Sequence, residues 1–346
     1  MGKTRCWNSA GAEPPRMAEL GTLQDPCWVG DLGLETSQRG LTVLGAPLGH
    51  VDFVRAALLD KRLEQDRLLS RIPEMLDLQS AWLLLLFCAN PRCNYLLRML
   101  PPTAIFEYAV AHYLALQRCL ERLLANQEAA SLEPLQWQRA QLALRRGGLG
   151  LRSAVHLRFA AYWASWAYSL EMIHQRHPLV AARLLEQLQA PGGGDLASTR
   201  AAVEAAAAVT VGGFQPPSWQ QLAAGVRPQE EGERELGEFA RGWQRVASHQ
   251  RDSAEVDALM GQLDEPSRAL LLTQKGTCGG RVFTVLPAFE EFAITADQFR
   301  ALVLRRLRAP LLRAERHCRC RRAFDAFGDL RAARSQAGVL RPRRAP

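Results

Sequence analysis

From Val51 onwards, apolar residues recur at helical spacing, and prolines interrupt the pattern at short intervals. Between Val51 and Ile72 they return mostly every three or four residues, with charged residues on the other side of the helix. Pro73, Pro91 and the Pro101-Pro102 pair separate successive helical stretches, because proline disrupts a helix. The pattern predicts a mostly α-helical chain, with further helices over Thr103 to Ala125, Leu132 to Arg145, Ser153 to Ile173, Pro178 to Gln189 and near Thr295 to Arg308.

The segment APGGGD, from Ala190 to Asp195, is the clearest interruption of this helical pattern. Three consecutive glycines leave the backbone too much freedom to stay helical. We therefore expect a linker here, between a helical domain over residues 51–189 and a C-terminal helical region over residues 196–308.

The best strand candidate precedes the helices. The stretch LTVLGAPLGH, from Leu41 to His50, combines β-branched and apolar residues with Gly45 and Pro47, which favour a tight turn or an edge position. It predicts a small N-terminal β-hairpin. The later stretch GGRVFTVLPAFEEFAI, which starts at Gly279, could add one β segment or an extended crossing.

Composition favours a globular protein inside the cell. The chain has 346 residues, of which 48% are hydrophobic and 23% charged, as is ordinary for folded domains. Its longest apolar run, Ala81 to Ala89, is about half of what a membrane-spanning helix needs, so we expect a buried helix and no membrane association. The N-terminus has no hydrophobic region, and the eight cysteines show no framework spacing, which predicts an intracellular protein, nuclear or cytoplasmic.

Positive charge concentrates at the C-terminal end. From Arg305 to Pro346 there are 13 arginines and three acidic residues, a net charge of +10, whereas the whole chain carries +8. Such a block predicts contact with nucleic-acid phosphates, and the alternative is a solvated, disordered basic tail that binds nothing specifically. The candidate nucleic-acid-binding residues are Arg305, Arg306, Arg308, Arg313, Arg316, Arg319, Arg321 and Arg322.

The familiar catalytic motifs are absent from the sequence: there is no P-loop, no nucleophile elbow, no zinc-protease motif and no dinucleotide fingerprint. His174 and His177 are more typical of a helix end than of a metal site, because two histidines alone make a poor zinc site. Tyr162, Trp163 and Trp166 could stack on bases but favour a core position. The glycine-rich stretch RRGGLGLRS, from Arg145, predicts a turn between helices.

Five stretches together resemble one protein family. In chain order they are MGKTRCWNSAGAEPP, RGLTVLGAPLGH, AWLLLLFCANPRCNYLLRMLPP, GGLGLRSA followed by AAYWASW, and CRC with FGDLRAARSQAGVL. Their order is similar to that in the C-terminal part of non-LTR retrotransposon reverse transcriptases, and the resemblance covers nearly the entire chain. It implies the trailing edge of a polymerase palm, a helical thumb and a helical C-terminal extension.

The resemblance also assigns roles to residues near the N-terminus. Lys3 resembles the family's palm turn after the catalytic aspartates, and Leu44, Gly45 and Gly49 resemble the hairpin that grips the primer end. The aspartate pair that would hold the catalytic magnesium ions is missing, since no two aspartates are adjacent anywhere in the chain. We therefore expect no polymerase activity and no magnesium site.

The C-terminal end resembles a zinc knuckle that has lost half of its ligands. Cys318, Cys320 and the Gly-Asp pair ending at Asp329 hold the family's spacing, but Leu330 and Arg334 stand where the family has histidine and cysteine. Two cysteines alone cannot close a tetrahedral zinc site. We therefore expect no bound zinc and no other cofactor, and the alternative is an unusual site completed by ligands from elsewhere in the chain.

The leading hypothesis is a reverse-transcriptase fragment without catalysis that binds nucleic acid weakly and without sequence preference. The alternatives are a helical protein-interaction scaffold without affinity for nucleic acid, or a truncated gene model of an active enzyme. The scaffold would be marked by exposed apolar stripes on the helices of residues 196–272. The expected divisions are a palm-edge remnant with the hairpin (1–50), a thumb-like domain (51–189), a linker (190–195), a C-terminal helical region (196–308) and a basic tail (309–346).

Overall fold

The structure is a computed structural model that describes residues 5–8, 10–19, 27–30, 32–125, 131–230, 238–276, 278–311 and 325–329. The described part is mostly α-helical with a small N-terminal β-hairpin, which confirms the expected fold class. The strands are β1 (Gly40–Val43) and β2 (Ala46–Gly49), and the helices are α1 (Val51–Arg71), α2 (Leu78–Leu84), α3 (Asn94–Met99), α4 (Phe106–Leu124), α5 (Pro134–Gln141), α6 (Ala154–Arg176), α7 (Pro178–Gln189), α8 (Ala197–Val211), α9 (Trp219–Ala223), α10 (Gly242–Gln262), α11 (Glu265–Thr273) and α12 (Ala296–Leu307).

Local sequence signals explain where several helices begin. The side chains of Asp77, Ser153 and Thr295 accept hydrogen bonds from backbone N–H groups in the first turns of α2, α6 and α12. These bonds satisfy donors that have no partner within the helix. Pro134 and Pro178 lie in the first turn of α5 and α7, where proline's missing N–H costs nothing.

The apolar run predicted as a buried helix lies at the centre of the fold. After α2, the backbone passes through a π-helical turn (Leu85–Ala89) and a 3-10 turn (Asn90–Cys93) into α3. Ala81, Trp82 and Leu86 are at most 1% exposed. This segment packs with α4, α5 and α12 in the largest hydrophobic cluster. No helix within the described residues is both long enough and apolar enough to cross a membrane.

A buried polar network links the 3-10 turn that begins at Asn90 to α1, α4 and the turn that precedes α6. The Asn90 side-chain amide donates to the Gly150 carbonyl at 3.1 Å, and the Asn90 carbonyl lies 3.2 Å from His112 Nε2. The other ring nitrogen of His112 pairs with Gln65 of α1, which also accepts from the Tyr108 hydroxyl. Burial lowers the pKa of His112 to about 4, so the ring is neutral at pH 7 and joins three elements without a charge.

The expected linker at residues 190–195 does not separate two modules. Helices α6 and α7 before it and α8, α9 and α10 after it share one hydrophobic cluster, in which Trp163 contacts Trp243 edge to face at 5.6 Å. The segment instead forms a tight turn in which the N–H of Gly193 donates to the Ala190 carbonyl at 2.9 Å. The glycines interrupt the helix as predicted, but the interruption is a turn within one core.

The hairpin expected over residues 41–48 is present. Strand β1 pairs antiparallel with β2, with Leu41 opposite Leu48 and Val43 opposite Ala46. Leu44 and Gly45 form a two-residue turn with φ of +50° and +87°, the left-handed geometry that suits the twist of a hairpin. The second β candidate, from Gly279, forms 3-10 turns at Arg281–Phe283 and Glu290–Phe292 joined by extended chain, so the crossing alternative is the correct one.

Candidate nucleic-acid interface

A groove of about 650 Å³ runs between the hairpin, the first half of α1 and the connection from α3 to α4. We call it the α1 groove. Pro47, Leu48 and Gly49 of β2 line it, and so do Leu100 and Pro101 at the start of the connection from α3 to α4. Its volume falls within the roughly 300–1,000 Å³ that is usual for ligand sites in proteins.

The structure divides the three predicted primer-grip residues. Gly49 lines the α1 groove, whereas Leu44 and Gly45 form the tip of the hairpin. A Cβ at position 49 would overlap the carbonyl of Arg39 and the Cα of Gly40, so only glycine allows the strands to meet here. The Tyr95 hydroxyl donates to the Leu44 carbonyl at 2.7 Å and ties the tip to α3, although the Leu44 side chain is 88% exposed.

Two guanidinium groups line the α1 groove, and the sequence reading did not single them out. Arg55 and Arg62 lie seven residues apart on α1, about two turns or 10 Å along one face. Each has a long ion pair with a carboxylate on its own helix, Arg55 to Asp52 at 3.4 Å and Arg62 to Asp66 at 3.6 Å. Exposed pairs of this kind contribute about 0–1 kcal/mol, so both arginines can turn to another anion at little cost.

The other lining residues of the α1 groove are mainly apolar. Leu48, Val51, Leu59 and Phe106 are between 38% and 57% exposed although they face this concavity. Glu107 contributes one negative charge beside the two arginines. The groove therefore presents an apolar floor with a small positive excess.

Arg306 requires a correction, because the structure places it in the interior. Its side chain was predicted to bind nucleic acid, but the residue is only 3% exposed. The guanidinium donates to the carbonyls of Leu144 at 2.5 Å, Gly148 at 3.0 Å, Gln274 at 3.1 Å and Gly279 at 2.7 Å. Its donors are thus committed to the backbone of two loops and cannot also hold a phosphate.

Arg305 and Arg308 are also predicted to bind nucleic acid, and in the structure both contact Asp329. Arg308 forms a close ion pair with this carboxylate, and Arg305 lies 3.7 Å from it. The Arg308 guanidinium also stacks 4.1 Å from the ring centroid of Phe327. Asp325 accepts the backbone N–H groups of Phe327 and Asp329 and so closes the turn that holds these groups against the end of α12.

Asp329 belongs to the Gly-Asp pair that resembles part of a zinc knuckle. In this structure its carboxylate neutralises arginines at the end of α12, a role that the sequence reading did not foresee. The sequence does not indicate this ion pair, because Arg308 and Asp329 are 21 positions apart and no local pattern connects them. Arg305 and Arg308 remain partly exposed, but their net contribution to an interface is reduced by this partner.

Arg139 is a further buried arginine near Arg306 and Arg308. Arg139 of α5 is 1% exposed, and its Nη2 donates to the Gln274 side chain at 3.2 Å. Burial, together with the positive charges of Arg306 and Arg308, lowers the pKa of Arg139 to about 10. The end of α12 is therefore a packed structural cluster of arginines as well as a basic surface.

Several predicted site residues lie outside the described part of the chain. They are Lys3, the remnant zinc ligands Cys318 and Cys320, and Arg313, Arg316, Arg319, Arg321 and Arg322. The loss of the zinc site accordingly stays a prediction. Among the described residues, no group of three or more His, Cys, Asp or Glu side chains could hold a metal ion.

The aromatic and glycine-rich stretches take the structural roles that the sequence favoured. Tyr162 and Trp163 are buried in the core beside α8 and α10, and Trp166 packs partly buried against the same cluster. His177 stands between α6 and α7, at a helix end as expected. The stretch from Arg145 forms the turn between α5 and α6, where Gly147 and Gly150 adopt positive φ.

Comparisons of the chain with protein-family models, with curated proteins and with solved structures give no match. The relation to non-LTR retrotransposon reverse transcriptases therefore stays a prediction from the five sequence stretches.

We predict that replacing Arg306 by methionine destabilises the fold by about 3–5 kcal/mol, because it leaves buried carbonyls without a donor. Replacing Arg305 by methionine should cost less than about 1 kcal/mol, since that side chain is partly exposed and its nearest charged partner lies 3.7 Å away. Urea unfolding followed by circular dichroism measures both changes. Equal losses for the two variants would contradict the structural role of Arg306.

Proposed function

We propose that this chain is a fragment of a retrotransposon reverse transcriptase that has no catalysis and binds nucleic-acid backbones weakly and without sequence preference. The observation that carries the proposal is the α1 groove, in which Arg55, Arg62 and Gly49 face one concavity beside the hairpin. We place the protein inside the cell, in the nucleus or the cytoplasm, where nucleic acid is available.

The chemistry of the α1 groove suits a sugar-phosphate backbone. Two arginines whose backbone positions lie about 10 Å apart along α1 can each contact a phosphate of one strand, and the apolar floor around Leu48 and Leu59 can pack against sugars. Gly49 lines the groove with backbone alone, and its lack of a side chain allows the two strands of the hairpin to meet there. Contacts of this kind position a duplex but carry no information about its bases.

The C-terminal arginines supply long-range attraction rather than a defined site. Ten arginines follow Arg308 in the sequence, with Glu315, Asp325 and Asp329 as the acidic residues among them. A positive field of this size raises the rate of association with any polyanion and adds affinity that falls steeply with salt. We therefore expect micromolar or weaker binding to single strands and duplexes alike.

The scaffold alternative receives little support from the helices on which it was expected. In the described part of residues 196–272, the exposed large apolar side chains are Leu196, Val211, Val226 and Leu272. Leu196 and Val211 stand at opposite ends of α8, Val226 follows α9, and Leu272 lies on α11, so these side chains form no stripe along any one helix. Isolated exposed apolar residues of this kind are ordinary on protein surfaces.

The proposal predicts that the purified chain does not extend a primer on an RNA template with magnesium or manganese. The reason is that no adjacent aspartate pair is present to hold the two metal ions. A primer-extension assay with radiolabelled nucleotide measures this. Template-dependent incorporation by the pure protein would contradict the proposal, and it would favour a catalytic arrangement that the sequence reading missed.

The α1 groove is tested by changing its two arginines together. Replacing Arg55 and Arg62 by alanine should weaken binding to a short DNA duplex at least about tenfold and lower the slope of log K against log salt by about 1.8, since each phosphate contact contributes about 0.9. Fluorescence anisotropy at several salt concentrations gives both quantities.

A matched control lies on the same helix. Arg67 and Arg71 carry the same charge as Arg55 and Arg62, but they do not line the α1 groove. Replacing them by alanine removes the same net charge and should change affinity less than about threefold if the groove contacts are specific in position. Equal losses in both double variants would show that binding follows net charge alone, and the groove would then have no special role.

A further inference from the structure

A second surface of the molecule combines exposed aromatic side chains with negative charge. Residues 285–294, which we call the 285–294 loop, expose Leu286 by 65%, Phe289 by 64% and Phe292 by 49%. Glu290 and Glu291 stand between the two phenylalanines and are also exposed. Large apolar side chains grouped in this way commonly mark an interaction surface.

The loop is held in shape by one buried side chain. Gln79 of α2 is 1% exposed, and its amide nitrogen donates to the carbonyls of Val285 at 3.0 Å and Phe292 at 3.1 Å. Its amide oxygen accepts the backbone N–H of Ile294 at 2.9 Å. The rings of Phe289 and Phe292 meet edge to face at 6.1 Å. A loop fixed at both ends loses little conformational entropy when it binds, which favours docking.

The negative charge on the 285–294 loop disfavours negatively charged partners. The described structure gives no ion pair for Glu290 or Glu291, whereas the nearby Asp297 pairs with Arg300 at 2.9 Å. Carboxylates beside the phenylalanines repel nucleic acid and anionic membranes. The fitting partner is therefore an apolar concavity with positively charged side chains at its rim.

The α1 groove of the same protein has these properties. Its floor is mainly apolar, and Arg55 and Arg62 stand along one side. We propose that the 285–294 loop of one chain inserts Phe289 and Phe292 into the α1 groove of a second copy, with Glu290 and Glu291 facing the two arginines.

The α1 groove is not lined by the loop of its own chain, since no residue of 285–294 is among the groove's lining residues. The loop is fixed on Gln79 of α2 by three hydrogen bonds. The proposed contact therefore joins two copies. The contact is head to tail, so a pair of chains keeps one free groove on one copy and one free loop on the other for further addition.

The contact should be weak and reversible. One loop in one groove buries less than the roughly 1,200 Å² of a standard stable interface. We therefore expect self-association in the micromolar range at low salt and its loss at high salt, because the ion pairs at the rim are exposed.

Sedimentation velocity of the full chain over a range of concentrations tests the proposal. The wild-type protein should form dimers and larger species as concentration rises. The double replacement of Phe289 and Phe292 by serine should abolish this association. A matched control, Leu179→Ser with Val211→Ser, removes apolar groups that are even more exposed from α7 and α8 and should associate as the wild type does. Wild-type protein that stays monomeric, or loop variants that associate unchanged, would overturn the proposal.

Charge reversal identifies the partner surface. Arg55→Glu with Arg62→Glu should abolish association, as should Glu290→Arg with Glu291→Arg. Each double variant alone should stay monomeric. In an equimolar mixture both contacts between unlike chains have opposite charges, because the reversed loop of one variant meets the reversed groove of the other and the unchanged loop meets the unchanged groove. Mixed dimers and larger alternating species should therefore form, and a mixture that stays monomeric would contradict the head-to-tail contact.

The inference uses the α1 groove but not its proposed role in nucleic-acid binding. Adding a short DNA duplex to the wild-type assembly separates the two. Dissociation of the assembly is expected, because the duplex and the loop would compete for Arg55 and Arg62. Persistent assembly with bound duplex would place nucleic acid elsewhere and count against the proposed function, while the self-association itself would stand.

Discussion

The described fold depends on the buried guanidinium of Arg306. This one side chain donates to carbonyls in the α5–α6 turn and in the segment that follows α11, and it brings both against α12. Isolated burial of a charge is costly, and only a full set of acceptors makes it tolerable. The same turn carries Gly150, which accepts from Asn90 and so connects to the polar network around His112. Through that network the position of α1 is linked to the end of α12.

Arginines that look alike in the sequence therefore have different roles in the structure. Arg306 and Arg139 stabilise the interior, and Arg308 is largely neutralised by Asp329. Arg55 and Arg62, which lie in a stretch of nearly balanced charge, face an open groove with only weak partners. In the proposed function, phosphate would be held by the guanidinium groups that lack strong acceptors, and not where arginines are most numerous in the chain.

Much of the fold could be predicted from the sequence, because the determining signals are local. Helical periodicity and prolines gave α1, α4, α6, α7 and α12 to within a few residues, and Gly45 marked the turn of the hairpin. The site could not be predicted in the same way, since it depends on contacts between distant residues. Arg306 meets Leu144 across 162 residues, and the Gly193 turn returns the chain to the same core rather than to a new domain. The sequence indicates only that Arg55 and Arg62, seven residues apart, share one face of α1. That this face lines a groove depends on the hairpin and the start of α4, which pack beside it in the fold.

The central claim is that nucleic acid contacts the α1 groove. Hydrogen exchange of the full chain, followed by mass spectrometry with and without a short DNA duplex, tests it most directly. The account predicts that the duplex slows exchange in peptides covering residues 47–62 and 100–108, because these segments line the groove. Slower exchange confined to the arginine-rich residues after Arg308, with the groove peptides unchanged, would contradict it.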